Sequence, residues 1–373
     1  MRLVVLNNNV NGETRVSATP DSLKILKDKY HLSIAVVKNA GMAAGFDDMD
    51  YKKIGAEMIA SNDIAVATGD IIIAISPPSE AIIKKMKSGA WLMAPLHAQQ
   101  DKKILAQLMA QKISGFALEM IPRISRSQNM DILSSQSNLA GYRAVLLALA
   151  HYGQATPMMM TAAGTLKPAK FLIMGVGVAG LQAIATAKRL GGVVMATDVR
   201  PDTKEQVESL GGQFLAVIDK EFKNAQTAGG YAKPMSKTYQ KKQQQLIIQT
   251  LPEINIVITT ALIPARSAPI LLTAAMVEKL PRGAVIVDMA VETGGNVVGS
   301  SMTDVIKKNG ITIVPGANLA RLLPLSASAL FAKNISNFIA NLWNSDEKKL
   351  TINMKDDIVK GSLVVHEGKI LLS

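Results

Sequence analysis

Cysteine is absent from the 373-residue chain. That excludes disulfides, thiolate metal sites and a cysteine nucleophile, and it fits a reducing compartment. Aromatic residues make up 4% of the chain against 48% for all hydrophobic residues, so its cores must be aliphatic and methionine-rich. Long apolar runs are missing too. The longest uncharged stretch near the central motif, between Lys170 and Lys188, is glycine-rich. It falls short of the ~20 apolar residues that a membrane-crossing helix needs. The opening MRLVVLNNNVNGETR has too short an apolar run for a secretory signal. The expectation is a soluble, cytoplasmic chain. Acidic residues are the scarcer charge, 29 against 41 basic, for a formal net charge of +12. The lysines fall in short groups such as Lys84, Lys85 and Lys87, or Lys241 and Lys242, without interleaved aromatics to stack on bases. This pattern argues against nucleic acid as a partner and for a solvated basic surface. Attraction to an acidic partner or an anionic membrane face is the second reading.

What the chain does have is concentrated in residues 170–200, KFLIMGVGVAGLQAIATAKRLGGVVMATDVR. An apolar run at 171–174 reads as a buried strand, and Gly175, Gly177 and Gly180 then form G-x-G-x-x-G. Helix formers follow over 179–190, and a second apolar run at 193–196 ends just short of Asp198. Strand, glycine turn, helix, strand and acid are the parts of a dinucleotide-binding unit. Gly175 permits the tight turn, Gly177 lets the backbone approach a pyrophosphate, and Gly180 lets helix and strand pack closely. The helix N-terminus offers unpaired N–H groups to the phosphates. Asp198 is placed to accept hydrogen bonds from ribose hydroxyls. Its charge favours NAD over NADP, a preference that Arg200 weakens. The bland alternative is a glycine-rich turn that only packs.

Before this motif, strands at 2–6, 32–37, 71–75, 90–93 and 116–118 alternate with helices. The first helix is capped by Thr19 with Pro20 at its first position; a short one lies near Tyr51, and others run up to Lys87 and over 101–111. Such alternation implies a parallel sheet. Residues 121–137, IPRISRSQNMDILSSQS, are expected as a polar loop at a strand end, where open α/β sheets bind ligands; a solvated connector is the alternative. Arg123, Arg126, Gln128, Asp131 and Ser134 crowd there, before a long helix at 139–150. The methionine triplet at 158–160 reads as packing. After the motif, helices are expected at 201–210, 237–251 and 326–343, strands at 213–217, 254–259, 284–288 and 311–314, and short strands around Gly361 and Gly368. The end of the 254–259 strand, Thr259-Thr260-Ala261, should lie beside the glycine turn. Gly229 and Gly230 next to Tyr231 look like the hinge and tip of a lid; a plain surface loop fits the composition equally well.

The stretches RISRSQNMDILSSQSNLAGYRAV, MMMTAAGT, the glycine motif with ATAKRLGGVVMATDVR, KEQVESLGG, TAGGYAK, ITTALIP and DMAVETGGN resemble the NAD(H)-binding domain I of proton-translocating NAD(P) transhydrogenase, its alpha subunit in the split form. The likeness runs through nearly all of residues 120–300. GETRVSATP and AGMAAGFDD carry it more loosely into the first hundred residues. The resemblance implies an α/β fold of two doubly wound, parallel-sheet Rossmann-like domains with a cleft between them. The first would comprise residues 1–133 plus 322–373, and the NAD(H)-binding one residues 134–321. It implies that Gly175, Val176, Gly177, Val178, Ala179, Gly180, Asp198, Val199, Arg200, Gly230, Thr260, Ala261 and Leu262 line the NAD(H) site. Arg123, Gln128, Asp131 and Ser134 would grip and orient the nicotinamide, and Tyr231 would tip the mobile loop. No metal is expected.

Further expectations come with the family. Hydride would pass directly between NADH and NADP⁺ held on a partner subunit, with proton translocation by membrane-spanning partner subunits. This chain would be a homodimer, peripheral on the inner membrane only through those partners. The same fold occurs in alanine dehydrogenase, the alternative reading. Arg15 matches that family's arginine and His97, in PLHAQQ, its catalytic histidine. A lysine needed at the end of an earlier strand is missing, because Ser76 stands there. His97 is therefore read as a leftover or packing residue.

Overall fold

The computed structural model describes residues 1–223, 225, 235–263 and 266–372. Its contacts divide the chain into two units, Met1–Gln136 with Ala320–Ser373, and Ser137–Leu319. In the first unit, six strands β1 (Arg2–Val5), β2 (Ser33–Val37), β3 (Glu57–Ile59), β4 (Ile71–Ile73), β5 (Trp91–Ala94) and β6 (Ser114–Ala117) pair in the order β3-β2-β1-β4-β5-β6. All five pairings are parallel. This is a doubly wound order. The antiparallel strands Leu363–His366 and Lys369–Ile370 extend the sheet beyond β6. Alternation places Leu3 and Val5 in the core on one face and Val4 in the core on the other. Thr19 caps the first helix, Pro20–Tyr30, through a capping box with Ser22.

The second unit repeats the design. Strands β7 (Lys170–Met174), β8 (Val193–Thr197), β9 (Gln213–Phe214), β10 (Ile256–Thr259), β11 (Val285–Asp288), β12 (Ile306–Lys308) and β13 (Ile311–Pro315) pair as β9-β8-β7-β10-β11-β13-β12. Only the β12–β13 pair is antiparallel. Phe171 and Ile173 enter one core while Leu172 and Met174 enter the other. Strands buried on both faces explain the unbroken apolar runs in the sequence. The strand order reverses between β7 and β10, the switch point at which open sheets of this kind bind ligands.

Several sequence expectations fail. The helix assigned to 139–150 begins earlier, as Ile132–His151, so the second half of the polar stretch is not loop. Asp131 supplies the missing signal, because its carboxylate accepts from both the backbone N–H and the hydroxyl of Ser134. The methionine triplet does not pack. Met159–Thr161 and Gly164–Leu166 form an antiparallel hairpin, and Met158, Met159 and Met160 are 62%, 45% and 82% exposed. Gly361 lies in a helix, Asp357–Ser362, that Asp356 caps by accepting from the N–H groups of Ile358 and Val359. The helix drawn to Lys87 covers only Glu80–Ile83. The strand Glu57–Ile59 and helix Asn62–Thr68 are too short to show a clear period in the sequence.

Candidate functional site

In the second unit the turn after β7 has the geometry that its three glycines demand. Gly175 has φ +102, a conformation that side chains resist. A Cβ there would lie 2.6 Å from Thr260 Oγ1, and one on Gly180 would lie 2.0 Å from the carbonyl oxygen of Gly175. Gly177 is different: nothing would stand within 4 Å of a Cβ. Internal packing therefore does not require glycine at this position. Gly177 is the N-cap of the helix Val178–Arg189, and no side chain caps that helix. Its first N–H groups can serve an anion. Gly141 is a constraint the sequence did not signal, since a Cβ there would meet the carbonyl oxygen of Ala179 at 2.1 Å.

The remaining residues of this set fall around the same strand ends. Thr260 donates its hydroxyl to the Gly175 carbonyl at 2.9 Å, so the end of β10 does lie beside the turn. Val178, Val199 and Leu262 are exposed by 37%, 52% and 59%, and offer apolar surface to a flat ring. Val176 is buried in the core and can take part only through its backbone. Gly230 and Tyr231 lie outside the described residues.

Asp198 follows β8 with its side chain only 7% exposed. One carboxylate oxygen accepts from the Arg200 N–H and Nε, both at 2.9 Å; the other accepts from the Val176 N–H at 2.7 Å and Arg200 Nη2 at 2.8 Å. Arg200 Nη2 also donates to the Val176 carbonyl. Burial pushes the Asp198 carboxyl up, but the Arg200 guanidinium and the two backbone amides outweigh it, and its pKa lies below the ordinary carboxylate value. The acid is thus ionised and oriented at the turn. A ribose hydroxyl would have to exchange with Arg200 for its acceptor sites.

In the first unit, Arg123, Ile124, Ser127, Gln128, Asp131 and Ser134 line one concavity of about 340 Å³. The structure thus brings together four residues singled out in the sequence. Arg123 is 66% exposed and its Nε stands 4.0 Å from Asp131 Oδ2. Asp131 also holds Ser134 by its hydroxyl, at 2.6 Å. Gln128 is exposed and its side chain has no hydrogen-bond partner among the described residues, leaving a donor and an acceptor for a ligand amide. Arg126 is turned away from this set, in a two-pronged pair with Asp356 at 2.7 and 3.0 Å. Asn334 and Asn337, on the helix Pro324–Asn341, both donate to the Asn129 carbonyl. These anchors are about 200 residues away in sequence and carried no local signal.

The residues of the alternative catalytic set are each accounted for. Arg15 is buried, paired with Glu13 through Nε at 2.8 Å and Nη2 at 2.6 Å, and bonded to Gln136 through Nη1. Ser76 accepts from the Asn8 side chain. His97 is exposed, with φ +51, so it does not pack.

Two family models cover the chain: Alanine dehydrogenase/PNT, N-terminal domain, matches residues 4–140, and Alanine dehydrogenase/PNT, C-terminal domain, matches residues 144–373. The first of the parts that make up the NAD(P) transhydrogenase subunit alpha of Rhodospirillum rubrum is 44% identical over 376 residues, spanning 100% of this chain and 98% of that one. An alanine dehydrogenase of Staphylococcus saprophyticus is 26% identical over 327 residues, 85% of this chain and 81% of that one. Among solved structures, a transhydrogenase from Sinorhizobium meliloti superposes with a TM-score of 0.89 at 40% identity, covering 99% of this chain and 100% of that one.

Proposed function

The chain belongs to the alanine dehydrogenase/PNT family, on its transhydrogenase alpha-subunit side, and on that premise we propose that it is the NAD(H)-binding component of a proton-translocating transhydrogenase. The observation that carries this reading is the turn after β7 at the sheet's switch point, with the ionised Asp198 beside it. The residues fit a dinucleotide. Gly175, Gly177 and Gly180 with the helix N-terminus would hold the pyrophosphate, Asp198 the adenosine ribose, and Val199 and Leu262 the adenine. When bound, NADH serves as hydride donor to NADP⁺ carried by a partner subunit.

The chain's own share is orientation and exclusion of water. Arg123, Gln128, Asp131 and Ser134 hold and turn the nicotinamide carboxamide. Orientation of this kind is worth several kcal/mol of a barrier. No proton donor is required of this chain, and coupling to proton movement falls to membrane-spanning partner subunits. Among the described residues no helix is long and apolar enough to cross a membrane, which accords with a peripheral place through those partners. A homodimer is the assembly that the family implies.

The alanine dehydrogenase reading loses its chemistry at two positions. The Arg15 charge is taken up by Glu13, and Ser76 brings no cation. Purified alone, the chain should therefore neither oxidise alanine nor reduce pyruvate with ammonia. It should bind NADH well and NADPH poorly, measured by nucleotide fluorescence. Equal affinities, or steady enzyme-dependent loss of NADH with pyruvate and ammonia, would count against the proposal.

A further inference from the structure

The glycine turn has little stiffness of its own, because glycine restrains its backbone less than any other residue. Something outside it must fix where its N–H groups point. Asp288, at the end of β11, is fully buried. Its carboxylate accepts from Thr259 Oγ1 at 3.1 Å and from the N–H groups of Ala290, Asn296 and Val297 at 3.0, 2.9 and 3.1 Å. All of these donors are neutral, and the chain wraps closely enough that a Cβ on Gly295 would stand 2.8 Å from Oδ2.

Asn296, also fully buried, points its side chain the other way, into the segment after β10. Its Oδ1 accepts from the Ala261 N–H at 3.1 Å, and its Nδ2 donates to the carbonyls of Ala261 and Pro269 at 2.9 and 2.8 Å. Ala261 is thus held by both its backbone groups. One residue earlier, Thr260 donates its N–H to the Met174 carbonyl at 2.8 Å and its hydroxyl to the Gly175 carbonyl at 2.9 Å. That Gly175 carbonyl is the surface against which Gly180 packs.

We infer that Asn296 and Asp288 are positioning residues of the dinucleotide site: they set the segment after β10, and through Thr260 that segment sets the glycine turn. Neither need touch the nucleotide. The linkage runs through three adjacent strand ends, β11, β10 and β7, and the side chains of Asp288, Asn296 and Thr260 along it are all hydrogen-bonded. Such fully satisfied buried networks hold one geometry rather than several. Pre-organisation of a site spares the ordering cost that would otherwise be met at binding. The inference rests on the reading that this turn holds the dinucleotide.

The test is NADH titration on the full chain, with a thermal melt of each variant. Asn296→Ala should weaken NADH binding about tenfold, the scale of one or two lost hydrogen bonds. Thr260→Val leaves the buried network and the backbone bond to Met174 intact and removes only the hydroxyl's bond to the Gly175 carbonyl; it should weaken binding in the same direction. Because the two act in series, the double variant should lose less affinity than the two single losses combined. Were Thr260 merely a ligand contact of its own, the losses would multiply independently. Ile311→Ala truncates a buried residue at the start of β13 and is the control, lowering the melting temperature with NADH affinity unchanged. If Asn296→Ala and Thr260→Val bind NADH as the control does, or if their losses are independent, the inference is overturned. Should Asn296→Ala fail to fold, an unchanged affinity in Thr260→Val overturns it alone. A wild-type chain that does not bind NADH overturns instead the dinucleotide reading itself, and the inference with it.

Discussion

Asp198 and Arg200 show how close two opposite demands lie on one short segment. The carboxylate must stay ionised in a nearly buried place, and Arg200 with two backbone amides provides for that. With a ribose bound as proposed, the same guanidinium would compete with it and temper the charge that would repel a 2′-phosphate. Asp198→Asn should therefore narrow the gap between NADH and NADPH affinity, mainly by weakening NADH, as titration of both nucleotides would reveal. The sign of the pH dependence follows from the lowered pKa. A carboxyl depressed in the folded state contributes fully above its unfolded value of about 4 and loses that contribution as pH falls through its lower folded value. NADH affinity should thus be flat on Asp198's account between about pH 5.5 and 8. A break in that range that vanishes in Asp198→Asn would mean the acid is not held as the structure has it.

At the scale of elements, the segment 122–131 is built around a short 3₁₀ helix, Ser125–Met130, tied on one side to the helix Pro324–Asn341 and to Asp356. The opposite side carries the concavity with Arg123, Gln128, Asp131 and Ser134. A tied loop suits precise placement of a ring more than gain of affinity, which the pyrophosphate turn and Asp198 should supply. Gln128→Asn and Asp131→Asn should accordingly lower hydride transfer far more than NADH affinity; a small misplacement of reacting atoms can cost on the order of 10²-fold in rate. Proportional losses in rate and in NADH dissociation constant would make the loop a binding element only. These elements were unevenly legible in the sequence. Strands buried on both faces, such as Lys170–Met174, show as apolar runs, and the glycine spacing marks the turn. Asp131 as a helix start was hidden among polar residues, and the anchors Asn334, Asn337 and Asp356 could not be read, because they act across the fold. The network of Asp288 and Asn296 was invisible for the same reason: a buried acid satisfied by backbone amides leaves no pattern in composition.

At the scale of the whole molecule, two units of similar doubly wound design account for the alternation of strands and helices that the sequence displays. The hairpin Met159–Leu166 was misread, since methionines argue for packing only when something covers them. Met158, Met159, Met160 and Leu166 are all exposed. For the proposed homodimer, sedimentation should find a dimer, and a monomeric wild-type chain would count against it. Direct hydride exchange with a nucleotide on another chain is open to a mixing experiment. This chain is mixed with an NADP-binding transhydrogenase component, and reduction of an NAD analogue by NADPH is followed with each protein alone and with both. The expected rate requires both proteins and saturates with the NAD analogue. A chain that binds NADH yet adds no rate to the partner component would contradict it.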